Sequence, residues 1–161
     1  MSDHIFQQFV ESEDPDQLNQ LQQELINGGY SSVYRFVEQF REQIKTFGDE
    51  DMERIQQLIA KGEKFLPDPG AISPSWQDLW PQFRSITEHK IKVLKTIPLS
   101  EREGEWQILM DNPYTHQQIV CYPGLTFAEA AYLFGYFRSD LKRNEYIRMQ
   151  KVQNVIMEFG T

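Results

Sequence analysis

Val33, Phe36, Val37, Phe40, Ile44 and Phe47 recur three or four residues apart, the spacing of one face of an α-helix. A stripe this wide and aromatic cannot be covered by one neighbour, so the chain must surround it with further helices. The flanking segments supply them. Ile5, Phe6, Phe9 and Val10 give a short opening helix its apolar face. Asp14-Pro15 offers a cap and a first-turn proline to a second helix, in which Leu18, Leu21 and Leu25 repeat at helical spacing until Gly28-Gly29. The striped helix comes third and stops at Gly48. Asp49 then caps a fourth, with Met52, Ile55, Leu58 and Ile59 facing inward and Gly62 closing it. Residues 3–61 thus read as four amphipathic helices with short connections.

Periodicity fails in GEKFLPDPGAISPS, residues 62–75, where Pro67, Pro69 and Pro74 remove backbone donors. Phe65, Leu66 and Ile72 tie this connection down against a neighbour, which a free tether would not need. Ser75 can cap a helix carrying Trp76, Leu79, Trp80, Phe83 and Ile86, and Pro81 is expected to split it. In KIKVLKTIPL, Lys90 and Lys92 alternate with Ile91 and Val93 at the period of a half-buried strand. Ile86, Leu94 and Ile97 also suit a prolonged helix; strand is the preferred reading. Residues 90–98, 105–111 and 117–122 then form an antiparallel meander, turned by SEREG and DNPYTHQ. Trp106, Ile108 and Met110 share one side of their strand, as do Ile119 and Cys121 of theirs. Thr126 and Glu129 make a capping box for a helix faced by Phe127, Ala130, Ala131, Phe134, Phe137 and Leu141. Beyond Ser139-Asp140, Met149, Val152, Val155, Ile156 and Phe159 continue a helical face to Gly160.

The fold class is therefore α+β and predominantly α-helical: an N-terminal helical bundle, a small antiparallel meander or hairpin at about 90–122, and C-terminal helices packed on it. A chain of 161 residues buries about two thirds of its unfolded surface around one core. A single domain, 1–161, is expected, made of an acidic helical segment over residues 1–61, the connection 62–75 and an α-β-β-β-α segment over residues 76–161.

Charge is divided unevenly. The whole net charge of -8 belongs to residues 1–60, which hold 12 acids against 4 bases, while the remainder is balanced. Such a field repels nucleic acid and draws a basic partner. Glu50, Asp51 and Glu53 are the candidate contacts, although a solvated face kept for solubility would look the same. The order helix, three strands, helix is similar in topology alone to small double-stranded RNA modules. LTFAEAAYLFGYF, which opens the final helix, has no lysine to hold phosphates. Neither a basic leader, nor an apolar run long enough for a membrane span, nor a cysteine pair is present, so a cytoplasmic location is expected.

No spacing of His, Cys or acids matches a metal site, and no phosphate loop, dinucleotide fingerprint or nucleophile elbow occurs. Neither a metal nor a cofactor is expected. Cys121 and His116 lie across the proposed turn from strand residues such as Trp106 and Met110 and invite a nucleophile-base reading. Cys121 stands in the apolar run IVCY, where small cysteines are buried filler and poorly reactive, so no catalytic residue is assigned. Lys90, Lys92 and Lys95, and separately Arg138, Lys142, Arg143, Arg148 and Lys151, form two basic sets that read as ordinary polar surface or as a ridge for docking an acidic surface. The leading function is a noncatalytic protein-protein interaction or regulatory role, of inhibitor, immunity or adaptor type, with a basic protein or a second copy as partner. A small-ligand sensor with an aromatic pocket, and an enzyme without a familiar motif, are the alternatives.

Overall fold

The computed structural model describes residues 3–67, 78–111, 118–139 and 146–152. Its described elements run α1 (Asp3–Glu11), α2 (Pro15–Asn27), α3 (Gly29–Thr46), α4 (Met52–Phe65), α5 (Leu79–Thr96), β1 (Trp106–Asp111), β2 (Gln118–Leu125), α6 (Phe127–Ser139) and β3 (Tyr146–Lys151). The fold is α+β and mostly helical. Two compact units divide the chain, Met1–Thr87 and Glu88–Thr161.

In the first unit the four expected helices form, and the α3 stripe lies at the centre of their core. Asp14 caps α2 by accepting from the Asp16 amide at 3.0 Å, with Pro15 in the first turn. The Phe40 ring meets those of Phe6, Phe9, Phe36, Trp80 and Phe83 at centroid distances of 5.2 to 6.3 Å. Polar groups close the edges of this core. Lys61 donates to the carbonyls of Phe9 and Ser12, both at 2.6 Å, at the end of α1. Trp80 Nε1 donates to the Leu66 carbonyl at 2.7 Å.

Three expectations in this unit need correction. Asp49 does not cap α4; it opens a 3-10 turn, Asp49–Asp51, and Asp51 takes the cap position without a side-chain cap bond. Gly62 does not close α4; the helix continues through it to Phe65. A Cβ there would stand 2.5 Å from Phe40 Cζ and 2.9 Å from a Trp80 ring carbon, so the glycine is required by close packing of two rings and not by a turn. Pro81 does not split α5. It sits in the first helical turn, where backbone amides have no intrahelical acceptor to lose.

The second unit holds a three-stranded antiparallel sheet in the order β2-β1-β3. The hairpin forms where expected, with Met110 opposite Ile119 and Leu109 opposite Val120. Trp106, Ile108 and Met110 do share one side, packed against α6 through Ala130, Phe127 and Phe134. The capping box at α6 is present: the Thr126 amide donates to Glu129 at 3.0 Å, and the Glu129 amide to the Thr126 hydroxyl at 3.2 Å. Hydrogen bonds that the carboxylate accepts from the Thr126 backbone and side chain lower the Glu129 pKa below its ordinary value.

The meander over 90–122 is not the observed sheet. Residues 90–96 are helical, the last turns of α5. The third strand comes instead from Tyr146–Lys151, a stretch expected to be helix, which pairs with the free side of β1 from Trp106↔Lys151 to Asp111↔Tyr146. Arg102 joins α5 to this sheet: its guanidinium donates to the carbonyls of Leu94 and Ile97 at the helix end and stacks over the Phe127 ring. The Ser75 cap, Trp76, most of the DNPYTHQ turn with His116, and the apolar positions Ile72, Leu141, Val155, Ile156 and Phe159 lie outside the described residues.

Candidate functional site

β2 is an edge strand, and Pro123 within it is tolerated for that reason, since proline has no ladder donor. Two register shifts interrupt its pairing with β1. Between Ile108↔Tyr122 and Leu109↔Val120 the extra residue is Cys121, so the cysteine occupies a bulge. The second shift lies near Gly124, whose φ of 70° is open to glycine at little cost. Cys121 is consequently exposed, not buried filler on the face of Ile119. Its thiol reaches the Ile119 carbonyl at 3.7 Å. His116 lies outside the described residues.

Around the bulge, Ile119, Val120 and Tyr122 are 49%, 44% and 41% exposed. Tyr122 lies on the α6 side, its ring stacked on Phe137 at 5.2 Å, while Val120, opposite Leu109, lies on the other. Apolar side chains are therefore presented on both faces of one strand, and among the described residues nothing hydrogen-bonds its outer edge.

Glu50 and Asp51 belong to a single 3-10 turn, Asp49–Asp51, leading into α4, and Glu53 follows in the first turn of that helix. Glu50 and Glu53 are exposed. Asp51 accepts from Arg54 and Glu53 from Gln57, both at 3.3 Å. A helix N-terminus favours such anions on its own account.

The two basic sets are redistributed by α5 and β3. Lys90 is buried, Lys95 is exposed, and Lys151 donates to the Glu101 carbonyl. Lys92, Arg138 and Arg148 instead converge with His89 on a groove of about 460 Å³. Its apolar lining comes from Val93, Ile97, Phe134 and Met149. On α5 the contributors His89, Lys92, Val93 and Thr96 recur at helical spacing, and on α6 Phe134 and Arg138 stand one turn apart. Burial, then Arg138 and Lys92, lower the His89 pKa, opposed by Glu88. Reading 90–98 as a strand separates Lys92 from this group; Ile86, Leu94 and Ile97 at helical spacing were the signal that could have joined them. Lys142 and Arg143 lie outside the described residues.

Among the described residues no group of three or more His, Cys, Asp or Glu side chains could hold a metal ion, and no helix is long and apolar enough to cross a membrane. No family model, curated protein or solved structure matches the chain.

Proposed function

We propose that this protein is a noncatalytic interaction or regulatory protein, of inhibitor, immunity or adaptor type, which captures a protein partner by strand addition at β2. The observation that carries this reading is the run Ile119–Tyr122, apolar and exposed on an edge strand. An edge of this kind is ordinarily blunted by charge, proline or a cover, because it invites another chain to pair. Among the described residues only Pro123 and the bulge limit it. Backbone pairing would supply affinity, and the exposed side chains the choice of partner. The acid-rich helices, with Glu50, Asp51 and Glu53, favour a partner with a basic surface by raising its encounter rate. A cytoplasmic setting suits an exposed single thiol, which stays reduced there.

Capture from native lysate by the full chain tests this, with two variants run beside it. Ile119→Lys with Val120→Lys should abolish recovery of the specific partner, and Glu50→Lys, Asp51→Lys, Glu53→Lys should weaken it about tenfold at low salt and less at high salt. Sedimentation of the free chain distinguishes a second copy as the partner. Indifference of all captured proteins to the β2 substitutions would refute the strand-addition reading.

A further inference from the structure

We propose that the groove between α5, α6 and β3 is a binding site for a small organic phosphate ester, an anionic head joined to an apolar body. The assignment goes beyond the protein-partner reading and rests on different residues. Three observations carry it.

The first is the chemistry of the lining. Cationic side chains from all three elements, Lys92, Arg138 and Arg148, meet with the imidazole of His89 over the apolar side chains of Val93, Ile97, Phe134 and Met149. A purely apolar ligand would leave Lys92 and Arg138 without a counter-charge, and inorganic phosphate would leave the apolar lining wet. An amphipathic anion satisfies both.

The second is the state of those cations. Arg41, Lys45, Arg54, Arg84 and Arg148 each have a carboxylate within ion-pair distance. Among the described residues Lys92 and Arg138 have none, although the protein carries a net charge of -8. Two positive side chains directed to one groove, with Arg148 already held by Asp111 at 3.3 Å, match a dianion better than a single carboxylate. Arginine's forked donors suit phosphate as well as carboxylate, so the choice between them rests on charge.

The third is the field inside the groove. Burial first, then Arg138 and Lys92, disfavour the protonated form of His89, with Glu88 opposing them. A bound dianion would reverse that balance and turn the imidazole into a second donor. The volume of about 460 Å³ lies within the range of small-ligand sites, about 300–1,000 Å³.

Calorimetric titration of the full chain with 1-naphthyl phosphate and with decyl phosphate provides the test, against 1-naphthol, 1-naphthoate and inorganic phosphate as partial ligands. At least one ester should bind at least ten times more tightly than every partial ligand. Lys92→Gln and Arg138→Gln should each reduce that affinity at least tenfold while far-UV circular dichroism stays unchanged. In a parallel proton NMR titration, the His89 pKa should rise when ester is bound. Binding of neither ester overturns the proposal, as does naphthol or inorganic phosphate matching the esters. Naphthoate equal to naphthyl phosphate overturns the choice of phosphate, and ester affinity unchanged in both variants, or an unmoved His89, removes the ligand from this groove.

Discussion

Phe40→Ala will destabilise the first unit by about 3–5 kcal/mol, the ordinary range for removing a fully buried phenylalanine. Phe40 has no exposed surface and packs against five other aromatic rings. The space it leaves is enclosed by α1, α3, α4 and α5 side chains that cannot all collapse inward together. Gly62 makes the prediction more specific. Gly62→Ala alone puts a methyl group 2.5 Å from Phe40 Cζ, an overpacking worth about 1–3 kcal/mol. Its gain in helix propensity, about 1 kcal/mol, offsets only part of that. In the Phe40→Ala background the methyl enters vacated space, and the same substitution should become neutral or stabilising. Urea unfolding of the four proteins in this double-mutant cycle gives the coupling directly. If Gly62→Ala costs the same in both backgrounds, the ring does not define the glycine.

Lys90→Met will remove a pH dependence of roughly 3 kcal/mol. Lys90 is 1% exposed, and burial lowers its pKa from 10.5 to about 8. A base depressed on folding holds its proton more weakly in the native state, so the unfolded chain binds more protons between pH 8 and 10.5. The cost of keeping the ammonium inside is therefore full below about pH 8 and is relieved as pH rises toward 10.5. The gap between those two values corresponds to roughly 3 kcal/mol. Wild-type stability should gain that much relative to Lys90→Met between pH 7 and pH 10.5, measured by urea unfolding. Parallel curves for the two proteins would show that Lys90 keeps its ordinary proton affinity.

The same lysine explains the largest misreading of the sequence. Between residues 86 and 94 the buried positions are Ile86, Thr87, Lys90, Ile91, Val93 and Leu94, a helical pattern. Two of the six carry polar atoms, so a count of apolar letters sees Ile91 and Val93 alternating with lysines and infers a strand. The first four helices were legible because each carried an apolar face at helical spacing, and α2 also had the Asp14-Pro15 start signal. The hairpin was legible from Trp106, Ile108 and Met110. β3 was missed because Ile147 and Met149 alternate over too short a run, and only the open side of β1 makes that alternation decisive. Pro123 is the sort of residue that marks an edge strand, a sign lying just beyond the strand expected over 117–122 and not used. The bulge that turns Cys121 outward had no such mark, because it arises from how two strands align. The groove was illegible for the same kind of reason: its four basic side chains come from three elements, two of which had been given the wrong period.

The order β2-β1-β3 also sets a timetable for synthesis. The contacts of α1 to α4 are made among neighbouring segments, so these helices can associate soon after they leave the ribosome. β1 can pair with β2 early, but its other side stays open until α6 and then β3 have been made. At about 5–20 residues per second that interval lasts seconds. During it the nascent hairpin has two open edges, one of which is the apolar run Ile119–Tyr122. Crowded translation of this chain is therefore most hazardous late, after the helices have formed and before Lys151 reaches its place opposite Trp106.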